Sequence, residues 1–230
     1  YSIVTTDGHT RYYSVQVPNP YDRKNPYPLI FDYHGASDTS TIQRNNSAYF
    51  NYTQDYLVVY PQGWGRHWQG PAYAHKGVND TLFTSDLLAH IEDNYCIDPS
   101  RVYASGKSNG GGFVDTLACS SAGDAFAAFA MASAALYTDL NKSSCARRRP
   151  ILESHGLMDT VINYTGSAKG NGGPLPNIDS WVSWWGERDC GPNATPHYDT
   201  QPRGYNVTAY SCGDLTDVVK HYEVFDLGHC

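Results

Sequence analysis

A single serine stands inside a glycine-rich turn in the middle of the chain, in the stretch RVYASGKSNGGGF. Gly106, Ser108 and Gly110 alternate through this turn, so the pattern G-x-S-x-G follows a predicted strand and opens a predicted helix. Such a turn presents the serine hydroxyl for nucleophilic attack. The backbone N–H of Asn109, at the start of the helix, is in place to donate to an oxyanion. The stretch therefore predicts a nucleophile at Ser108 and an oxyanion donor at Asn109.

A nucleophilic serine needs a general base and a carboxylate that orients the base. In strand–turn–helix folds of this kind the partners follow in the order Ser, Asp, His, each just after a strand. Asp159 follows the predicted strand RPILESHG, and His229 follows the last predicted strand behind Gly228. We predict Asp159 as the acid and His229 as the base. Asp226 is the rival acid, but it precedes His229 on the same strand end.

Two further histidines lie at the ends of predicted strands. His34 stands at the bend in DYHGAS, where the backbone N–H of Ala36 is expected to be the second oxyanion donor. We expect the rings of His34 and His155 to pack or hydrogen-bond rather than to act as the base. The other histidines lie in loops or on helix and strand faces and are not expected to be catalytic: His9, His67, His75, His90, His197 and His221.

Aromatic residues are abundant, with nineteen tyrosines and five tryptophans. The loop GWGRHWQGPAY follows a predicted strand, so Trp64, Trp68 and Tyr73 are candidates to stack on a phenolic ring or a sugar face. The alternative is that these three residues only pack the loop. Three other tryptophans have helical spacing and are expected in the core: Trp181, Trp184 and Trp185.

The elements that must position these residues alternate between strands and helices. The predicted strands are RYYSVQVP, YPLIFDYHG, DYLVVYPQG, RVYASG, AFAAFAMASAA and RPILESHG, followed by a hairpin of NVTAYSC and VVKHYEVF across GDLTD. The predicted helices are SDLLAHIEDNYC with Ser85 as N-cap, the segment after Ser108, and NIDSWVSWWGERDC capped by Asn177 or Asp179. This alternation predicts an α/β fold with a mostly parallel central sheet and helices on both faces.

The length and net charge of the chain indicate one domain and argue against nucleic-acid and membrane partners. A chain of 230 residues fits one catalytic domain over residues 1–230. The net charge is −7 without a large Lys/Arg cluster, so we expect neither nucleic acid nor a membrane surface as partner. No apolar run approaches the ~18 residues of a membrane span. We also expect the protein to be a monomer.

Cysteines and glycosylation sequons indicate export. The six cysteines lack metal-binding spacing, which favours disulfides, and we expect no metal. Seven N-x-S/T sequons suggest a secreted, extracellular glycoprotein. They begin at Asn45, Asn51, Asn79, Asn141, Asn163, Asn193 and Asn206.

Four stretches together resemble the fungal feruloyl esterases of carbohydrate esterase family 1: NYCIDPSRVYASGKSNGGGF, YPLIFDYHGAS, PILESHGLMDTVINYTG and FDLGHC. The resemblance runs from about residue 10 to the C-terminus. Acetyl xylan esterases and polyhydroxybutyrate depolymerases share the same α/β-hydrolase framework. By position the family implies Ser108 as nucleophile, Asp159 as acid and His229 as base.

The resemblance also implies a substrate. It points to a carboxylic ester hydrolase that acts, without cofactor, on feruloylated or acetylated xylan of plant cell walls. Feruloyl esters are the preferred expectation. Acetyl xylan esterase activity with the same triad is one alternative, and a non-catalytic, glycan-binding hydrolase-like domain is another.

Cysteine pairing is open, because six cysteines allow 15 pairings. Cys190 with Cys212 is preferred, since it joins a helix end to the adjacent hairpin, and the remaining expectations are Cys96–Cys119 and Cys145–Cys230. Relatives usually continue past the histidine with a tryptophan and more chain, whereas this sequence stops at Cys230. We therefore expect the last helix to be absent and a disulfide at Cys230 to anchor the loop of His229.

Overall fold

The computed structural model describes residues 1–52, 54–137, 145, 147–202 and 204–229. In this part of the chain four α-helices accompany the strands: α1 (Ser40–Ser47), α2 (Asp80–Asn94), α3 (Asn109–Ala118) and α4 (Ile178–Cys190). The strands are β1 (Ser2–Val4), β2 (Thr10–Gln16), β3 (Tyr27–Tyr33), β4 (Leu57–Pro61), β5 (Ile97–Lys107), β6 (Ala128–Ala132), β7 (Ile151–Gly156), β8 (Ser167–Gly170), β9 (Gly173–Leu175), β10 (His197–Gln201), β11 (Tyr205–Cys212) and β12 (Leu215–Val224).

Ten of these strands form one sheet in the order β1-β2-β4-β3-β5-β6-β7-β12-β11-β10. The six strands from β4 to β12 in this order run parallel to one another. The strands β1, β2, β11 and β10 add to the two ends in antiparallel pairs. The expectation of an α/β fold with a mostly parallel central sheet is confirmed.

Every residue of strand β3 is buried, so its alternating side chains pack on both faces of the sheet. Leu29 and Phe31 join the main hydrophobic core, to which α2, α3 and α4 contribute their apolar faces. Ile30 points the other way into a smaller cluster. On that second face Asp32 Oδ2 accepts a hydrogen bond from Gln43 Nε2 of α1 at 3.0 Å. Helices therefore cover both faces, as period-2 alternation in a strand buried on both sides requires.

Several boundaries differ from the sequence-based expectations. Helix α2 begins at Asp80, with Asn79 as N-cap accepting from the Leu82 N–H at 3.0 Å, so the predicted cap at Ser85 was wrong. Ser85 lies inside the helix and donates to the Thr81 carbonyl. For α4 the N-cap is Asn177, one of the two predicted candidates. The sequence did not predict α1, β1, β10 or the small β8–β9 hairpin.

The disulfides correct two of the three expected pairs. Cys190 is bonded to Cys212 as expected, but Cys119 is bonded to Cys145, so the pairs Cys96–Cys119 and Cys145–Cys230 were wrong. The physical reason is position: Cys119 is the C-cap of α3 and meets the segment that leads into β7. Cys96 lies instead beside β3, where its carbonyl accepts from the Tyr27 N–H, and it forms no disulfide with another described cysteine. The expected anchor at Cys230 falls outside the described residues.

Most of the glycosylation sequons lie on the surface. The asparagines of five sequons are exposed: Asn45, Asn51, Asn79, Asn163 and Asn193. Asn206 is half-buried in β11 and its amide donates to Glu223, which makes it the least accessible of the described six. Asn141 lies outside the described residues. Among the helices that the structure describes, not one combines the length and apolar character needed to cross a bilayer.

The disulfide pairing predicts which cysteines support stability. Cys119→Ala and Cys190→Ala should each lower the free energy of unfolding by about 2–4 kcal/mol, because each removes a cross-link across more than twenty residues. Cys96→Ala is the matched control and should cost under about 1 kcal/mol. Urea unfolding followed by circular dichroism measures all three. A Cys119→Ala or Cys190→Ala variant as stable as the unchanged protein would contradict the pairing.

Candidate active site

The serine turn is built by close backbone contacts that only glycine permits. Ser108 adopts φ 54° and ψ −120° between β5 and α3, a conformation that L residues seldom take. A Cβ on Gly110 would lie 2.2 Å from the Tyr33 carbonyl oxygen, and one on Gly106 would lie 2.7 Å from the Gly110 carbonyl carbon. Helix α3 therefore packs directly against β3 and β5, and this contact holds the Ser108 side chain at the strand end.

Three parallel strands bring their following residues to one edge of the sheet. Ser108 follows β5 directly, Asp159 follows β7, and His229 follows β12. Strands β5, β6, β7 and β12 are consecutive parallel neighbours, so their carboxyl ends share this edge. Functional groups of open α/β sheets gather at that edge.

The structure brings Ser108, His229 and Asp159 into one hydrogen-bonded chain. His229 Nε2 lies 3.0 Å from Ser108 Oγ, and His229 Nδ1 lies 2.8 Å from Asp159 Oδ2. Since a carboxylate only accepts, the Nδ1 atom carries the proton and Nε2 is free to accept from the serine hydroxyl. Asp159 is 3% exposed and Ser108 is 9% exposed, so both side chains are largely shielded from solvent.

The Asp159 carboxylate is fixed by its own loop. Its Oδ1 accepts from the backbone N–H groups of Val161 and Ile162 at 2.9 and 2.8 Å, which leaves Oδ2 for His229. Asp226, the rival acid, is exposed. Within the described ranges, no group of three or more His, Cys, Asp and Glu side chains is arranged to hold a metal ion.

The bend after β3 lies beside the serine. A Cβ on Gly35 would lie 3.6 Å from Ser108 Cβ, so the backbone that leads to Ala36 passes next to the Ser108 side chain. His34 fixes this bend: its Nδ1 lies 2.7 Å from the Gly35 carbonyl, and its Nε2 accepts from the Gly63 N–H at 2.9 Å. Burial lowers the pKa of His34 to about 4, so the ring stays neutral and acts as a structural partner, as the sequence indicated.

Trp68 lies in the core and is not available to a substrate, so its prediction as a stacking residue was wrong. Its side chain is fully buried and stacks on Phe113 at a centroid distance of 5.3 Å. Its Nε1–H donates to the His34 carbonyl, and its backbone N–H donates to Asn109 Oδ1. Trp68 thereby ties the bend after β3 to the start of α3. The sequence could not show that Trp68 is buried, because its position depends on its contacts with His34 and Asn109, which are distant in sequence.

The other aromatic candidates lie elsewhere in the same loop. Trp64 is half-buried against His9 and His75. Tyr73 packs on Tyr137, in a small apolar cluster that also contains Ala135, whose N–H donates to the Ser108 carbonyl. Tyr73 is therefore linked to the serine turn through this cluster. Of the three helical tryptophans, Trp181 and Trp185 belong to the main core, and Trp184 is half-buried and packs against it.

An apolar rim beside the acid was not found from the sequence. Leu157, Met158 and Val161 surround Asp159 in the chain and are 40%, 64% and 63% exposed. The Leu157 and Met158 N–H groups donate to the Val224 and Leu227 carbonyls, so the rim is attached to the segment that carries His229. The only feature of the sequence that could have indicated these three residues was their position around the predicted acid, Asp159. We call Leu157, Met158 and Val161 the apolar rim.

The strand order, the strained serine turn and the residues at the carboxyl edge are those of the α/β-hydrolase fold. The chain belongs to the esterase family, whose sequence model, described as putative esterase, matches residues 5–201. A solved acetyl xylan esterase from Aspergillus awamori superposes with a TM-score of 0.69 at 16% identity, covering 94% of this chain and 88% of that one. A family 1 ferulic acid esterase from Anaeromyces mucronatus, solved with ferulic acid, gives 0.59 at 14% identity, covering 100% and 82%.

Curated relatives are more similar in sequence. Feruloyl esterase D of Neurospora crassa is 32% identical over 178 residues, which are 70% of this chain and 58% of that protein. A bifunctional acetylxylan esterase/xylanase of Neocallimastix patriciarum is 28% identical over 86% of this chain and 31% of its own length. The chain thus spans between about a third and three fifths of these two relatives.

The placement of Trp68 predicts a loss of stability on its removal. Trp68→Ala should lower the free energy of unfolding by about 3–5 kcal/mol, because it leaves a cavity and unpairs the His34 carbonyl. Trp64→Ala is the control and should cost clearly less, since Trp64 is half-buried. Thermal and urea unfolding measure both. Equal losses at the two positions, or a Trp68 variant of unchanged stability, would contradict the placement.

Proposed function

We propose that this protein is a secreted serine esterase that hydrolyses feruloyl and other hydroxycinnamoyl esters of plant cell-wall arabinoxylan. The observation that carries the proposal is the chain of hydrogen bonds from Ser108 through His229 to Asp159, with contacts of 3.0 and 2.8 Å. A hydroxyl, an imidazole and a carboxylate in this arrangement are the parts of acyl transfer through a covalent intermediate. Membership of the esterase family supports the reaction class.

The first half of the reaction acylates the enzyme. His229 Nε2 takes the Ser108 proton while Oγ attacks the ester carbonyl carbon, and the carbonyl oxygen becomes an oxyanion. Asp159 stabilises the imidazolium that forms at His229, because its Oδ2 accepts from Nδ1. When the tetrahedral intermediate collapses, the bond to the leaving alkoxide breaks and His229 donates its proton to that oxygen. The sugar hydroxyl departs and the acyl group stays on Ser108.

The second half repeats these steps with water as nucleophile. His229 removes a proton from water, the hydroxide attacks the acyl carbon, and Ser108 leaves as the alcohol with the proton returned by His229. In both halves the N–H groups of Ala36 and Asn109 hold the oxyanion, with Asn109 at the N-terminus of α3 and Ala36 directly after Gly35, which lies next to Ser108. One such donor typically contributes about 3–4 kcal/mol of transition-state stabilisation. The steps need neither a metal nor an organic cofactor.

The apolar rim supports an aromatic acyl group. Met158 and Val161 are exposed next to Asp159, and their apolar side chains offer a surface on which a phenolic ring can pack. In the loop of residues 63–73, Tyr73 and Trp64 remain candidates for stacking on the substrate, whereas Trp68 does not. The relative from Neurospora crassa carries the name feruloyl esterase, which supports the same substrate class.

Acetyl xylan esterase activity is the second candidate. It rests on the relative from Neocallimastix patriciarum that is named an acetylxylan esterase/xylanase. The same Ser108, His229 and Asp159 would serve, with a smaller acyl group. An acetyl group is too small to cover an extended apolar surface, so the exposed rim favours the feruloyl substrate. The whole protein is proposed to act on cell-wall polysaccharide esters as a monomer.

Export is part of the proposal. Two disulfides join cysteines in the described part of the chain, and disulfides persist in oxidising compartments outside the cytosol. Five exposed sequon asparagines offer accessible sites for N-glycosylation.

The role of Ser108 predicts the effect of removing its hydroxyl. Ser108→Ala should lower kcat/KM for methyl ferulate by about 10⁴-fold or more, because the nucleophile is lost. Ser105→Ala is the matched control: this buried serine of β5 donates to Asp32, on the other face of the sheet, and its loss should leave most activity intact. Hydrolysis followed by liquid chromatography measures both. Residual activity of Ser108→Ala near that of the unchanged protein would contradict the proposal, and a glycan-binding domain without catalysis would hydrolyse nothing in any variant.

The apolar rim predicts substrate preference. The unchanged protein should hydrolyse methyl ferulate with a higher kcat/KM than a small acetyl ester. Met158→Ser should raise KM for methyl ferulate by about three- to tenfold, because one aromatic–apolar contact is lost, and leave the acetyl ester unaffected. Leu215→Ser is the control, since Leu215 is equally exposed but begins β12 at the opposite edge of the sheet. Preference for the acetyl ester, or equal effects of the two variants, would favour the second candidate.

A further inference from the structure

A row of buried titratable side chains lies behind Asp159 and takes no part in the steps above. Strand β7 carries Glu153 and His155 on the same face, and both side chains are completely buried. In the register between β7 and β12, His221 stands directly opposite Glu153. Ionisable groups in such a place are costly unless they are paired, so their arrangement calls for a physical reason.

Both ring nitrogens of His155 face acceptors. Nδ1 lies 3.0 Å from Glu153 Oε1, and Nε2 lies 2.8 Å from the Ile162 carbonyl oxygen and 3.3 Å from Asp159 Oδ2. A neutral imidazole would turn one lone pair towards an acceptor, whereas an imidazolium donates from both nitrogens. Burial lowers the pKa of His155, but Glu153, the Ile162 carbonyl and Asp159 together outweigh it, so the pKa is raised overall. Both the acceptors at its two nitrogens and the direction of its pKa favour the imidazolium form of His155, next to Asp159.

Glu153 is the counter-ion of this cation. Burial raises the pKa of Glu153, but its contacts with His155 and His221 lower it by more, so the carboxyl is ionised. Its Oε2 lies 2.7 Å from His221 Nδ1. His221 Nε2 lies 2.9 Å from the Tyr164 hydroxyl, which donates to Asp179 at 2.6 Å.

These contacts define what surrounds His155. The groups that face it come from its own strand, from the loop after β7 and, beyond Glu153, from β12 and the start of α4: Glu153, Asp159, the Ile162 carbonyl, the Tyr164 ring, His221 and Asp179. His155 is the member that joins this row to the acid of the active site.

We propose that His155 is a positioning residue which, as a lasting imidazolium, keeps the Asp159 carboxylate ionised and directed at His229 and so extends esterase activity to lower pH. The inference rests on the function proposed for Ser108, His229 and Asp159. Asp159 Oδ2 lies between two imidazole rings, at 2.8 Å from His229 Nδ1 and 3.3 Å from His155 Nε2. A positive charge at His155 attracts the Asp159 carboxylate and repels a second positive charge at His229. The working form, with a neutral base and an ionised acid, therefore persists to lower pH.

Replacing His155 tests the consequence for activity. His155→Gln keeps an amide that can donate to the Ile162 carbonyl but removes the charge. The acidic limb of the kcat/KM profile for methyl ferulate should move to higher pH by about 0.5–1 unit. The shift is expected to be this small because the negative charge of Glu153 offsets part of the positive charge of His155. The plateau at higher pH should change by less than about tenfold, because Ser108, His229 and Asp159 all remain. Tyr164→Phe is the control: it removes the hydroxyl at the far end of the row, and its acidic limb should stay in place.

The protonation of His155 is measured directly in the unchanged protein. Nitrogen-15 NMR of the histidine rings, with the signal assigned by its absence in His155→Gln, should show both nitrogens protonated at pH 7, above the ordinary pKa of histidine. The same signal is expected in Ser108→Ala, which does not depend on turnover. A neutral His155 at pH 7, or an acidic limb that does not move in His155→Gln, would overturn the inference. Failure of the proposed function would appear differently, as hydrolysis by Ser108→Ala.

Discussion

The backbone of Ser108 is held in a conformation that an isolated chain would avoid, and the site depends on this constraint. The positive φ of 54° turns the chain from β5 into α3 within one residue. It persists because α3 packs against β3 so closely that a side chain at Gly110 would meet the Tyr33 carbonyl at 2.2 Å. Trp68 strengthens the same contact, since it hydrogen-bonds to the backbone at His34 and to the side chain of Asn109. Core packing, rather than the loop alone, therefore sets where the hydroxyl points.

The remaining parts of the site follow from the parallel sheet. Because β5, β7 and β12 run in the same direction, the residues after them meet at one edge, and His229 can contact both Ser108 and Asp159. The acid is supported from two sides: backbone N–H groups hold one of its oxygens, and the proposed His155 imidazolium lies near the other. Buried charge thus stands directly behind the proposed catalytic chemistry, where a low-dielectric environment makes each interaction stronger.

The fold and the adjacency of the three site residues could be predicted because they rest on local patterns and on one topological rule. Apolar runs marked the parallel strands, the glycines marked the turn at Ser108, and parallel strands share an edge. The failures concern features that depend on three-dimensional contacts. Cys119 pairs with Cys145 because the end of α3 meets the segment before β7, which no spacing in the sequence reveals. Trp68 resembled an exposed loop aromatic, but its ring donates to the His34 carbonyl and its backbone N–H donates to the Asn109 side chain, and both partners are distant in sequence. Short edge strands carry too few residues for a recognisable period.

The central claim is that His229 activates Ser108 as a nucleophile, and covalent labelling tests it most directly. Incubation with a fluorophosphonate, followed by digestion and mass spectrometry, should place a single adduct on Ser108. The labelling rate should fall by at least about a hundredfold in His229→Ala, because the base that removes the serine proton is lost. An adduct on another residue, no adduct at all, or equal labelling rates in the two proteins would contradict the account.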